Sequence, residues 1–133
     1  MKIAFFVGIF FPKPGGVQIQ THNIANTLVK MDNEVDLYLL NKSNQKNNLY
    51  KIFVINKLII SLFFYLKYYL KINLSIFLRM YLKYFLKIEK YDLFHFHFLS
   101  HKSLYLIDNL RFFKKKIIVT FQGADIQINK NIK

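Results

Sequence analysis

Short apolar runs alternate along this chain with longer amphipathic stretches. Ile3 to Gly8 is apolar almost throughout, which predicts a strand buried on both faces. From Val17 to Met31, residues Ile19, Ile24, Leu28 and Met31 recur at spacings of three to five, with Ala25 and Val29 beside them. That pattern predicts an amphipathic helix, closed by a turn at Asp32-Asn33. Glu34 to Leu40 alternates and then turns wholly apolar, a second strand, and Tyr50 to Ile55 is a third, short one. The polar segment 41–48 between them reads as a loop. Tyr91 to Phe98 predicts a fourth strand, Ser100 to Phe113 a helix and Ile117 to Phe121 a fifth strand. Strands that alternate with helices imply an α/β fold: a Rossmann-like parallel sheet with helices on both faces. A chain of 133 residues is one domain by length.

Residues 57–90 depart from this rhythm. Leu, Ile, Phe and Tyr fill the stretch, punctuated by single basic residues, and Asn73 is the expected break. Lys57, Ser61, Tyr68 and Lys71 are expected on one helical face before it, and Ser75, Arg79, Lys83, Lys87 and Lys90 on one face after it. The segment therefore reads as a basic amphipathic helical insert of two helices. The longest uncharged run, Leu58 to Leu66, is too short to span a bilayer. Three readings of the insert are open: helices packed on the sheet with a solvated lysine face, contact with an anionic membrane surface, or nucleic-acid binding. No recognised nucleic-acid motif accompanies the interleaved lysines and aromatics. For the membrane reading, the candidate residues are Arg79, Lys83, Lys87 and Lys90, beside Phe77, Tyr81, Tyr84 and Phe85.

Charge sharpens the picture only in part. Twenty Lys and Arg against 7 Asp and Glu give +13, which attracts anionic partners. The abundance of Lys, Asn, Ile, Phe and Tyr also fits the coding bias of an AT-rich genome. The chain has no cysteine, which excludes disulfides and thiolate metal sites. The start, Met1 to Val7, lacks the length and cleavage site of a secretory signal and suggests a cytoplasmic protein.

Three features fall where ligands gather in such folds, at the carboxyl ends of strands. Pro12-Lys13-Pro14-Gly15-Gly16-Val17-Gln18 joins the first strand to the first helix. A helix N-terminus there offers unpaired N–H groups and partial positive charge to an anion. Adjacent glycines permit φ > 0 and close ligand approach, although a plain connection explains the same residues. His95 and His97, two apart, share one face of the fourth strand. Hydrogen bonding to a polar ligand and satisfaction within the core are both open, and no third residue completes a metal site. His22 and His101 have no assigned role. Gln122-Gly123-Ala124-Asp125 leaves the fifth strand, where Asp125 is able to hold a hydroxyl or cap a helix. No Ser-His-Asp set, paired carboxylates or P-loop lysine is present.

With these residues in place the chain resembles the amino-terminal half of a GT-B-fold glycosyltransferase of the large retaining family four. Met1 to Pro12 resembles that family's first strand and its exit. Pro14-Gly15-Gly16-Val17-Gln18 is similar to its Gly-Gly-Val loop. Tyr91-Asp92-Leu93-Phe94-His95-Phe96-His97 resembles its Asp–apolar–apolar–His–x–His strand, and Val119 to Asp125 its Val-Thr-x-His-Gly-x-Asp segment. The resemblance implies that residues 1–133 form the acceptor-side domain of a sugar-nucleotide-dependent transferase. It places Gly15, Gly16 and Gln18 at the cleft, His97 on the acceptor side, and Gln122, Gly123 and Asp125 at the loop after the fifth strand. Gln122 stands where the family has a histidine, and glutamine is neither a general acid nor a general base.

The resemblance also implies a second domain for the nucleotide-sugar, which residues 1–133 do not contain. A truncated product, one part of a split enzyme and a degenerate remnant are the expectations that follow. No cofactor is expected beyond a donor held by such a domain. Expected partners are a glycan or lipid-linked acceptor, an anionic membrane surface and a separate donor-binding chain. The alternative is a non-catalytic module on a membrane surface or partner, and peripheral attachment at the inner face of the plasma membrane accords with either.

Overall fold

The structure is a computed structural model that describes residues 1–7, 15–39, 49–97 and 100–121. Strand β1 (Lys2–Val7) leads to helix α1 (Gly16–Lys30), then to β2 (Glu34–Leu39) and β3 (Lys51–Val54). Two helices follow, α2 (Lys57–Tyr68) and α3 (Ser75–Tyr84), and a single 3-10 turn, Ile88–Lys90. Strand β4 (Leu93–His97), helix α4 (His101–Arg111) and strand β5 (Lys116–Thr120) complete the described elements.

All strand pairs are parallel, in the order β3-β2-β1-β4-β5. The chain builds outward from β1 in one direction, then crosses back to lay β4 on its other side. In open parallel α/β sheets such a reversal of strand order is the usual place for a ligand, at the carboxyl ends of the strands.

The pleat sends alternate residues to opposite faces. Ile3, Phe5 and Val7 join Val35, Leu37 and Leu39 under Ala25 of α1, with Ile24, Leu28 and Val29 packed around them. Ala4, Phe6, Phe94 and Phe96 meet Ile60 of α2, Leu78 and Leu82 of α3, and Tyr105, Leu106 and Leu110 of α4. On this second face an aromatic ladder crosses four strands. Phe53 stacks on Tyr38 at 5.3 Å, Tyr38 on Phe6 at 5.2 Å and Phe6 on Phe96 at 4.6 Å. Each pair is a register pair.

The faces of the helices differ from the sequence pattern. In α1 the buried side chains are Thr21 and Ala25, whereas Ile19 and Met31 are exposed. At about 100° per residue, Ile19 lies across the helix from Thr21 and Ala25. Small side chains on the inner stripe let α1 sit close against β1 and β2.

The break at Asn73 holds: its Oδ1 accepts from the backbone N–H and the hydroxyl of Ser75. The two predicted basic faces do not. Helix α2 ends at Tyr68 and α3 at Tyr84, and Lys71 and Lys87 beyond those ends adopt left-handed backbone. Ser61 is turned toward α4, where it accepts from Lys102 Nζ at 2.7 Å. Arg79 lies over the Phe112 ring at 4.3 Å, Lys83 pairs with Glu89 at 3.1 Å, and Lys90 pairs with Asp36 of β2 at 3.0 Å. Arg79, Lys83 and Lys90 are therefore held in separate contacts, and Lys87 and Lys90 lie beyond α3, so the quartet forms no continuous helical stripe.

Candidate functional site

Parallel register sets Val7, His97 and Thr120 side by side at the carboxyl ends of β1, β4 and β5. Helices α1, after β1, and α4, after β4, begin beside these residues, because each helix that follows a parallel strand starts where that strand ends.

The α1 terminus has unusual capping. Its N-cap is Gly15, with no side chain to satisfy the first N–H groups, and its first turn holds no acid. Gln18 folds back so that its Oε1 accepts from the Gly15 N–H at 3.0 Å. The partial positive charge of this helix end is thus left without a carboxylate, which suits an anion. The glycines serve a different purpose from the one expected. Gly15 has φ −120°, and no described glycine has positive φ. A Cβ on Gly15 would stand 2.6 Å from Gln18 Oε1, so a side chain there would displace the Gln18 amide from its bond to the Gly15 N–H. A Cβ on Gly16 meets no described atom within 4 Å, so Gly16 is the position that leaves space open.

His95 and His97 project from the same face of β4, as their spacing predicts, with ring centroids 4.0 Å apart. Both pack on Phe5, at 5.0 and 4.8 Å. Their bonding differs. His95 Nε2 is 2.7 Å from Thr120 Oγ1, so His95 is satisfied across the sheet. His97 is fully buried, and among the described residues neither of its ring nitrogens has a hydrogen-bond partner. Buried polar groups without partners are rare because each forfeits its bonds to water. Burial, with a smaller contribution from neighbouring His95, lowers the His97 pKa to about 4. Its imidazole is therefore neutral near pH 7, with one nitrogen to donate and one to accept. A sugar hydroxyl, itself donor and acceptor, matches that pattern.

Gly15, Gly16, Gln18 and His97 are thus brought to one edge of the sheet. Gln122, Gly123 and Asp125 lie outside the described residues, as does the expected loop at 41–48. Thr120, which holds His95, and Thr21, buried with its hydroxyl unpartnered, were not apparent from sequence. His22 is bonded to Tyr50 at 2.7 Å and Asn26 at 2.9 Å, which ties α1 to the sheet's far side. Among the described residues no three His, Asp or Glu gather as metal ligands.

The family model described as Glycosyltransferase Family 4 matches residues 14–131. The chain belongs to glycosyltransferase family 4. Comparison with curated proteins returned no match, nor did comparison with solved structures. The match and the five-stranded parallel sheet agree on the fold: this family-4 domain has the Rossmann-like architecture of the amino-terminal half of a GT-B enzyme.

Proposed function

We propose that this family-4 domain is the acceptor side of a retaining glycosyltransferase, which transfers a sugar from a nucleotide-sugar to a glycan or lipid-linked acceptor. The observation that carries the reading is His97: a neutral, buried imidazole at the carboxyl ends of β1 and β4, with neither nitrogen bonded among the described residues. An unsatisfied group of this kind costs stability unless a ligand completes it. The α1 N-terminus lies at the same edge and favours the negative charge of a donor diphosphate. Gln18 fixes the Gly15 backbone, Gly16 leaves room for the ligand, and His97 orients an acceptor hydroxyl. Gln122, Gly123 and Asp125 belong to the proposed acceptor side through the resemblance of their segment.

In this reading the nucleotide-sugar is held by a second domain facing this edge of the sheet, in the same protein or in a partner chain. Residues 1–133 alone transfer nothing. The test is turnover of UDP-, GDP- and ADP-sugars by the pure chain, then by the chain fused to a family-4 donor-binding domain. No turnover alone and transfer on fusion is the expected result. Turnover by residues 1–133 alone overturns the reading.

The second reading, a non-catalytic surface-binding module with the same fold, is favoured by one observation, the outward faces of α2 and α3.

A further inference from the structure

His97 is held without a hydrogen bond of its own among the described residues. The outer torsion of a histidine is broad and roughly two-fold, so packing decides which way an unbonded imidazole turns. Two rings pack on it. Phe5 of β1 lies 4.8 Å away, tilted by 53°, and His95 lies 4.0 Å away, tilted by 35°. Phe5 is fully buried and also meets His95 edge-on, at 5.0 Å.

His95 is the bonded member of the pair. Its Nε2 lies 2.7 Å from Thr120 Oγ1. Thr120 is not its neighbour in register: His95 stands beside Ile118, and Thr120 beside His97. The bond therefore runs diagonally across the β4–β5 pair, toward the carboxyl end of the strands. Side chains two apart on a strand leave the backbone roughly 6.6 Å apart. Ring centroids at 4.0 Å mean that the two imidazoles lean together, and the diagonal bond pulls His95 in that direction. Threonine suits the task, because its branched Cβ stiffens χ1 and aims the hydroxyl. Both imidazoles are kept neutral by burial, so the close pair carries no like-charge repulsion near pH 7.

We propose that Thr120 is a positioning residue for His97, acting through His95: its hydroxyl holds the His95 ring against His97 and so fixes the direction in which His97 presents its nitrogens. What His97 meets there rests on the acceptor-side reading; how His97 is held does not.

The test begins with nitrogen-15 NMR titration of the histidine rings in the full 133-residue chain, without sugar nucleotide. Thr120→Val keeps the shape and removes the hydroxyl. It releases His95, uncovers His97 and raises the His97 midpoint from about 4 by about one pH unit. Thr120→Ser restores the native midpoint. His95→Phe keeps a ring beside His97 but is unable to bond Thr120, and in that background Thr120→Val has no further effect. Circular dichroism at pH 7 is unchanged throughout. If Thr120→Val unfolds, Thr120→Cys, whose thiol is only a weak donor and acceptor, is read in its place. In the fusion with a donor-binding domain, Thr120→Val lowers kcat/KM for the acceptor about tenfold, leaves KM for the nucleotide-sugar within about twofold, and Thr120→Ser recovers transfer. A His97 midpoint unmoved by Thr120→Val overturns the proposal, whatever the fusion does. So does an equal shift in the His95→Phe background, which would mean that Thr120 does not act through His95. A shifted midpoint beside acceptor kinetics that do not change overturns the acceptor-side reading and supports the positioning of His97.

Discussion

At the scale of the residue, His97 joins folding to function. Its pKa falls from 6.5 to about 4, chiefly through burial and then through His95, and burial lowers His95 as well. The folded state therefore holds fewer protons than the unfolded chain near pH 5. The stability this gives is complete above pH ~6.5 and is lost as pH falls through about 4. Its size is roughly 3 kcal/mol. The urea midpoint of the native chain should drop over that window, and that of His97→Gln should drop less. Identical slopes would show that His97 is not the titrating group. Gly16 gives a second prediction. With no described atom near its Cβ position, Gly16→Ala should fold as well as the native chain, or better by about 0.5–1 kcal/mol, since alanine favours the helix. A loss of more than 1 kcal/mol in urea titration would show the space to be filled. At this scale the sequence exposed the positions but not their reasons. Gly-Gly invited an argument from φ, whereas Gly15 has φ −120° and its N–H donates to the returning amide of Gln18. The partner that satisfies His95 is 25 residues away in the chain and is adjacent only because β4 pairs with β5.

At the scale of the element, the ladder Phe53-Tyr38-Phe6-Phe96 locks four strands in register. Phe6 occupies its buried interior, while Phe53 stands at the exposed edge. Phe6→Ala should cost about 3–5 kcal/mol, the usual range for a buried phenylalanine, and Phe53→Ala about 1 kcal/mol, mostly the stacking. Equal losses in urea unfolding would contradict a ladder anchored at its centre. The strands were legible because buried parallel strands are continuous apolar runs, and Ile3 to Val7 and Ile117 to Thr120 are such runs. Helix existence was legible too, and so was the break at Asn73. Helix orientation was not. Hydrophobicity nominated Ile19 for the core, yet Thr21 and Ala25 occupy it, because close approach to a sheet selects small side chains. In α2 and α3 the assumption that charge faces water failed: Lys67 and Arg79 rest on aromatic rings, while Leu58 and Ile76 face outward. A periodic pattern specifies two faces but does not say which is covered when both are largely apolar.

At the scale of the whole molecule, the order of motifs mattered more than any one of them. The Gly15-Gly16 start of α1 and the His-x-His strand are separated in sequence, and the strand order β3-β2-β1-β4-β5 explains why they lie at one edge of the sheet. The carboxyl ends of β1 and β4 meet at the point where the strand order reverses, so the α1 N-terminus and His97 lie at one edge of the sheet. The same topology sends α2 and α3 to the layer opposite α1. The central claim is that this edge of the sheet is the acceptor side of a sugar-transfer site. Sugar transfer by the chain fused to a family-4 donor-binding domain tests it most directly, with Gly16→Val and His97→Gln compared to the unaltered fusion. The account predicts transfer by the unaltered fusion and a loss on the order of 100-fold in each variant, equivalent to about 2.7 kcal/mol. Circular dichroism and urea midpoints at pH 7 should show both variants folded. Folded variants that transfer sugar at the unaltered rate would contradict it.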